Sequence, residues 1–578
     1  MTDGVVSSTG QIVGSQTSPW NLQRFQAVAS SALISVPILT WLALIVVMPS
    51  LLLIGVSFLK STGGVIRFEP SLANYLRLWN SSGFWVLLGR TLAYSFAGCL
   101  VASFIAYPLA FYVGRVITRN RALLTTLIIL PLWISLLMRV FAWRVILGQS
   151  GVLNTFLVSS GILQEPSNAF LYSPLAVVMV FAYIAIPFIF ISTMGAFEKI
   201  PQDLIEAAQD SGANAFFTFV TLVWPLTRRN FAIGFSLAFL VTVGDFVTPA
   251  MIGGIDGTTV GVVISTQFGF ANNWPYGAAA AVVLMVSVGV LLSIVLALCP
   301  SRGVMLSVEG DNSQAQTIAS NTIGRLIGAL GTGMAIVYLY APLAIIFIFS
   351  LNSSSVQVFP LQELSLQWYA SLTSNESLIA AAQRSLIVAI SVVCLAAALG
   401  TLFAVIIHNG RLKGARYYEL AFALPVATPG VVLGIEMVLG TEIFGIPSGI
   451  LRIIVGQMSF VMPVTLLMVL VRLRKIDPSL MEASLDLGAN RLKSFTSVLW
   501  PLIKGTVLAS AFLGLTLSAD DVMVTLFLSG GAPTLPIWVF NQLRFGFTPE
   551  VNAVFSLLMF VCLVIVFLTN RQASRSRG

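Results

Sequence analysis

Twelve runs of apolar residues recur along this chain, each about as long as a bilayer is thick. A helix needs about 20 apolar residues to cross a hydrocarbon core of about 30 Å. No water is present there to pair with the backbone, so each run must satisfy its own N–H and C=O groups as a helix. The first six runs centre near Leu44, Phe104, Leu130, Met179, Phe239 and Val288. The second six centre near Ile345, Val392, Val426, Val461, Leu515 and Phe560. Composition agrees, because only 9% of the residues are charged and 57% are hydrophobic. A soluble domain carries about 25% charged residues. The chain therefore reads as an all-α membrane protein of about 12 transmembrane helices.

The net charge of +8 could point to a polyanionic partner, but its placement is topological. Of the 30 Lys and Arg, 21 fall in the N-terminal segment, the loops after even-numbered runs and the C-terminal segment. Arg115, Arg119 and Arg121, then Arg411, Lys413 and Arg416, then Arg571, Arg575 and Arg577 show the pattern. Positive residues collect on the cytoplasmic side, which places both termini there and leaves no need for nucleic acid. Residues 1–30 are polar and read as a disordered cytoplasmic tail. The apolar run that follows has full membrane length, unlike that of a cleavable signal. Cys99, Cys299, Cys394 and Cys562 lie in or beside apolar runs without metal-ligand spacing. They read as packing residues, and no metal site is expected.

The chain is internally repeated. At an offset of 276, residues 199–226 (KIPQDLIEAAQDSGANAFFTFVTLVWPL) align with residues 475–502 (KIDPSLMEASLDLGANRLKSFTSVLWPL), with 13 of 28 positions identical. The same register pairs Asp245 with Asp521 and Gly254 with Gly530. Upstream, an offset of 294 pairs Ser71-Leu72 with Ser365-Leu366, Tyr75 with Tyr369, and Arg90 with Arg384. The difference of 18 residues is expected in the longer stretch at 149–173. Six runs per half is an even number, so the halves are parallel repeats about an axis along the membrane normal, with a pathway between them. The expected units are 31–300 and 325–570, joined by a polar cytoplasmic linker at 301–324 and followed by a short cytoplasmic tail at 571–578.

The repeated segment is the longest polar interruption on the cytoplasmic side of each half. Ile200-Pro201 and Asp477-Pro478 suit helix starts, because proline is accepted in a first turn. Leu204, Ile205, Ala207 and Ala208 follow at helical spacing. Gly212 suits a left-handed stop, and a second helix runs on through Trp224-Pro225-Leu226. Each half thus presents a helix–turn–helix elbow whose small residues allow close approach by a partner.

These residues carry a family resemblance. Glu206-Ala207-Ala208, Gly212 and the distal Pro225 resemble the coupling-loop motif of permease subunits in binding-protein-dependent ABC importers. Glu482-Ala483-Ser484, Gly488 and Pro501 resemble it again, departing only at Ser484. The segments 130–135 (LPLWIS), 151–154 (GVLN) and 272–279 (NNWPYGAA), with Arg139 and Trp143-Arg144, resemble the first permease of spermidine/putrescine importers. The segments 518–522 (SADDV) and 544–553 (RFGFTPEVNA) resemble the second. The resemblance implies a type I ABC importer permease fold, two permeases fused head to tail, in a bacterial inner membrane. It implies two copies of an ABC ATPase subunit docked at the elbows and an external, periplasmic solute-binding protein. The implied solute is a polyamine or related amino-acid derivative. Opines, phosphonates and ferric iron are the family's other cargoes.

Other features set limits. No P-loop occurs, so this chain is expected to bind no cofactor, and ATP and Mg belong to partner subunits. The stretch at 528–531 (LSGG) matches an ABC ATPase signature by coincidence, since it ends a membrane run and has no Walker partner. His408 is the single histidine, and no catalytic constellation accompanies it, so no enzyme is expected. A secondary transporter with two six-helix halves is the competing reading, but it has no use for paired motor sockets.

Ionisable groups in spans cost about 2.5–3.5 kcal/mol on insertion scales and are functional candidates by default. Asp245, Asp520, Asp521 and Glu436 are such groups, with Trp133 and Trp143 as aromatic neighbours for a cationic solute. Two roles fit the aspartates: lining the pathway, or capping a broken helix and pairing with Arg139 or Arg144. Glu436 has no acidic counterpart, since an offset of 276 lands on Ser160.

Overall fold

The structure, a computed structural model, describes residues 35–117, 120–299, 322–355, 359, 361, 363–409, 415–545 and 548–575. The expected tail at 1–30 lies outside these residues, as do 301–321 of the expected linker and 576–578 of the expected C-terminal tail. Helix already begins at Thr322, inside the segment expected to be linker, and the last helix runs to Arg575.

The first half comprises α1 (Met48–Ser57), α2 (Ser82–Phe111), α3 (Arg121–Ile129), α4 (Leu136–Leu147), α5 (Val152–Ser159), α6 (Pro174–Phe197), α7 (Gln202–Asp210), α8 (Trp224–Gly244), α9 (Val260–Phe268) and α10 (Trp274–Leu298). The second comprises α11 (Thr322–Ser350), α12 (Glu376–Asn409), α13 (Ala415–Ala427), α14 (Gly430–Ile443), α15 (Ile450–Leu473), α16 (Ser479–Asp486), α17 (Trp500–Asp520), α18 (Leu535–Phe545) and α19 (Glu550–Arg575). The repeat is structural as well as sequential. Arg121 and Leu136 open α3 and α4 as Ala415 and Gly430 open α13 and α14, at the offset of 294. Pro174 and Trp224 open α6 and α8 as Ile450 and Trp500 open α15 and α17, at 276. The register therefore changes between α4 and α6, where the first half carries α5 and a loop that the second half lacks. Small details repeat too: Ser57 Oγ meets Tyr75 Oη at 2.7 Å, and Ser350 Oγ meets Tyr369 Oη at 2.7 Å.

By length and composition, nine helical segments among the described residues can cross a membrane, or ten if α13 and α14 form one span. The twelve expected runs resolve differently for identifiable reasons. The runs near Leu130 and Val426 are broken, not straight. Proline lacks an N–H and crowds the preceding turn. Pro131 sits in a 3₁₀ turn, Leu130–Trp133, after which Ile134 is extended. Pro425 and Pro429 flank the break between α13 and α14, whose axes meet at 106°. The run near Phe239 becomes α8, whose Arg228, Arg229 and Asn230 dilute its hydropathy. The run near Phe560 lies within the single helix α19. Conversely, α4 and α5 together make an apolar segment, Leu136–Ser159, that enters the stretch at 149–173 where the 18-residue difference is expected.

The first helix of each half crosses to the other half. α1 packs on α10 of its own half and on α14 of the second. α11 packs on α19 of its own half and on α4 and α2 of the first. A side chain at Gly440 would meet Pro49 Cγ at 3.0 Å, so glycine sets how closely α14 approaches α1. On the other side, Tyr338 donates to the Met179 carbonyl at 2.6 Å and Tyr183 donates to the Leu339 carbonyl at 2.9 Å. The two halves are thus interlocked, and each of the two buried clusters takes residues from both of them. Phe104, Val337 and Leu386 lie on the outer surface, where apolar side chains meet lipid.

Candidate functional site

The two elbows superpose in their chemistry. α7 starts after Pro201, and α16 starts where Asp477 Oδ1 accepts from the Ser479 N–H at 3.0 Å. Each short helix ends in a glycine with a left-handed backbone, Gly212 at φ +83° and Gly488 at φ +84°. The chain then reverses, and Ala213 and Ala489 donate back to the Ala208 and Ser484 carbonyls at 3.0 and 3.1 Å. Asn214 and Asn490 cap the next helix, each accepting a backbone N–H at 2.8 Å, from Phe217 and Lys493. Ser484, the one departure from the repeated pattern, meets Ser494 Oγ at 2.9 Å and ties the elbow's arms together. Glu206, Ala207, Glu482 and Ala483 are all exposed, whereas Ile205 is buried beneath.

From each elbow one continuous helical path runs the length of the bundle. In the first half it covers residues 215–244, through a π-helical turn at Phe219–Val223. In the second it covers 491–520, with the matching π turn at Phe495–Leu499. Pro225 and Pro501 explain the turn: a proline offers no N–H to the preceding turn and widens it. Each path is about 45 Å long at about 1.5 Å per residue. It connects an elbow to a carboxylate, because α8 ends at Asp245 and α17 at Asp521.

At that far end the aspartates act as caps. Asp245 is 2% exposed; its Oδ1 accepts from the Val247 and Thr248 N–H groups at 2.8 and 3.0 Å, and Oδ2 accepts from the Thr248 hydroxyl. Asp521 accepts from the Val524 and Thr525 N–H groups at 3.3 and 2.9 Å and from the Thr525 hydroxyl at 2.6 Å. Asp520 reaches across to the other half: both its oxygens accept the Leu136 N–H, at 3.1 and 2.8 Å, capping α4. Its repeat counterpart is Gly244, where a Cβ would lie 2.6 Å from the Gly430 nitrogen. Gly430 opens α14, the counterpart of α4. Hence the end of α8 abuts the start of α14, and the end of α17 abuts the start of α4. This reciprocal junction between the halves was not visible in the sequence, because its partners lie in different registers.

The remaining candidates supply none of these hydrogen bonds to the aspartates' caps. Trp133 closes the 3₁₀ turn two residues before Ser135, the cap position of α4. Trp143 is buried against the rings of Tyr183 and Tyr338, with centroids 6.1 and 5.2 Å away. Glu436 is 3% exposed and lies against Ser50 of α1, and its Oε1 has no hydrogen-bond partner among the described residues. Its counterpart is Ala142, not Ser160, because α14 follows the offset of 294. Arg144, offered as a partner for the aspartates, instead donates to the Leu543 carbonyl at 3.0 Å and to Tyr172 at 3.4 Å. Repeat-equivalent Arg90 and Arg384 fix the loops beyond α8 and α17, donating to the Ile255 carbonyl at 3.3 Å and the Pro533 carbonyl at 2.8 Å. Among the described residues no cluster of His, Cys, Asp or Glu could hold a metal ion.

The comparisons with known proteins bear on this architecture. The pattern of a family described as "binding-protein-dependent transport system inner membrane component" matches residues 9–302 and 398–575. The chain is 34% identical over 256 residues to the spermidine/putrescine transport system permease protein PotB of Haemophilus influenzae, covering 44% of this chain and 89% of that protein. It is 33% identical over 239 residues to the putrescine transport system permease protein PotI of Escherichia coli, covering 40% of this chain and 85% of that one. Each such relative corresponds to about half of this chain. Among solved structures, a bacterial ABC transporter involved in import of the acidic polysaccharide alginate aligns with 48% of this chain and 97% of its own, at 18% identity and a TM-score of 0.40.

Proposed function

Because the chain belongs to the family of binding-protein-dependent transport system inner membrane components, we propose that it is both permeases of one ABC importer, carrying a polyamine or related amino-acid-derived solute. The relatives named for spermidine and putrescine support that solute class. The chain is a multi-pass membrane protein of an inner-membrane permease family, and its relatives are transport subunits and not enzymes. The elbow end is cytoplasmic, which agrees with the placement of Lys and Arg. Each elbow docks one ATPase subunit, with Glu206, Ala207 and Ala208 on one side and Glu482, Ala483 and Ser484 on the other. ATP and Mg are handled by those subunits, and an external binding protein delivers the solute to the opposite end.

The observation that carries this reading is the pair of elbow-to-carboxylate paths. A motor movement at Gly212 or Gly488 reaches Asp245 or Asp521 along a single helix, and from there the inter-half junction. The pathway then runs between the halves, bordered by Asp245, Asp520 and Asp521, with Trp133 beside the α4 cap. Switching between two packed states needs such a shared element. The test is uptake of labelled putrescine into vesicles holding this chain with its ATPase and binding protein. ATP-dependent uptake is expected. Uptake driven by an ion gradient in vesicles without the ATPase contradicts the proposal and favours a secondary transporter.

A further inference from the structure

Trp274 and Arg544, from the segments at 272–279 and 544–553 singled out in the sequence, both line one cavity of about 310 Å3 between the halves, at the end opposite the elbows. Its walls are the last turn of α9 in the first half and the last turns of α18 in the second, with Phe527 and Val438 between them. The apolar lining is mostly aromatic, with Phe268, Phe270, Trp274, Phe527 and Phe540 beside Val438 and Leu526. The Arg544 guanidinium lies over the Phe270 ring, 5.4 Å from its centroid.

Three independent features favour a cation here. Aromatic faces are negative and attract cations. Helix C-termini carry partial negative charge; α9 ends at this cavity, while the end of α18 already holds Arg144 on its Leu543 carbonyl. The Ser265 and Thr266 hydroxyls spend their protons on the Val262 carbonyl, at 2.8 and 2.9 Å, which leaves their lone pairs for a donor. Among the described residues no carboxylate lines the cavity, so a cation is held there by ring faces and dipoles and not by an ion pair.

We propose that this cavity is a subsite for an alkylammonium group, and that Arg544 is a built-in competitor whose displacement from Phe270 accompanies solute entry. The proposal rests on the transport reading above and names where one end of the solute is received. Phe270 is 77% exposed, so its cation contact belongs to the weak, solvated class.

The test is equilibrium binding of labelled putrescine to the purified full-length chain, without ATPase or binding protein. Arg544→Gln removes the competitor and is expected to tighten binding about two- to fivefold, that is about 0.5–1 kcal/mol at about 1.4 kcal/mol per tenfold. Adding Phe270→Leu to Arg544→Gln is expected to erase the gain. A structural role for Arg544 would not produce tightening. Succinate, which has carboxylates and no ammonium, is the control, because the buried Trp274 Nε1–H has no partner among the described residues and would favour a carboxylate. Unchanged or weaker putrescine binding in Arg544→Gln overturns the subsite, as does tighter binding of succinate or no amine binding in either chain. An elbow variant that loses its ATPase should bind putrescine normally, so failure of the coupling assignment is read separately. Putrescine uptake that persists with unchanged Arg544→Gln affinity sinks the subsite and leaves the transport reading standing.

Discussion

At the scale of residues, the junction between halves depends on two positions of opposite character. Asp520 supplies a carboxylate to the first N–H of α4, and Gly244 supplies empty space to the first residue of α14. Replacing Asp520 with Ala should cost about 1 kcal/mol of stability, and Asp520→Asn should recover most of it, as for helix caps generally. Denaturant unfolding of the purified chain measures both. Gly244→Ala puts a methyl against backbone, 2.6 Å from the Gly430 nitrogen and 3.1 Å from Pro429 Cα. Backbone does not rotate away, so about 1–3 kcal/mol of overpacking is expected, with transport reduced while the ATPase still binds. Asp245 and Asp521 were legible as a pair because one offset relates them. Asp520 was legible as a candidate cap, but not as the cap of α4, since that partner lies in the other half.

At the scale of elements, the elbows combine a left-handed glycine, an asparagine cap and a π turn, repeated almost bond for bond. Asn214→Ala and Asn490→Ala should each destabilise the helix start by about 1 kcal/mol, seen as faster amide exchange at Phe217 and Lys493. Asp477 is exposed, and the Ser479 N–H holds its carboxyl below the ordinary range. A depressed acid contributes stability above its unfolded pKa and loses it only as pH falls through the lowered value. Protection of the second elbow should therefore stay constant around neutral pH and fall on acidification; a loss on going alkaline contradicts this cap. The elbows were legible because polar residues at helical spacing, glycine and proline each constrain the backbone locally. The broken third span was not. Pro131 and Pro425 lie inside apolar runs whose hydropathy is the same whether the helix is straight or bent, so counting runs returned one straight span at each place. The π turns were equally silent, although Pro225 and Pro501 mark where they sit.

At the scale of the whole molecule, the repeat explains more than the number of helices. α1 crosses onto α14 and α11 onto α4, so neither half closes its core alone. Fusion into one chain secures that exchange and fixes the two halves at one to one. The exchange could not be read from the repeat, because alignment reports which residues correspond and not which half they pack against. Under the proposed function the repeat gives two motor sockets per chain, each joined to the inter-half junction by one helix. The direct measurement is the amount of ATPase that co-purifies with Glu206→Arg, Glu482→Arg and the double variant, all inserted normally in the membrane. One ATPase per chain is expected for each single variant and none for the double, with ATP-dependent uptake lost in all three. Retention of two ATPase subunits by the double variant, with uptake intact, contradicts the coupling role of the elbows.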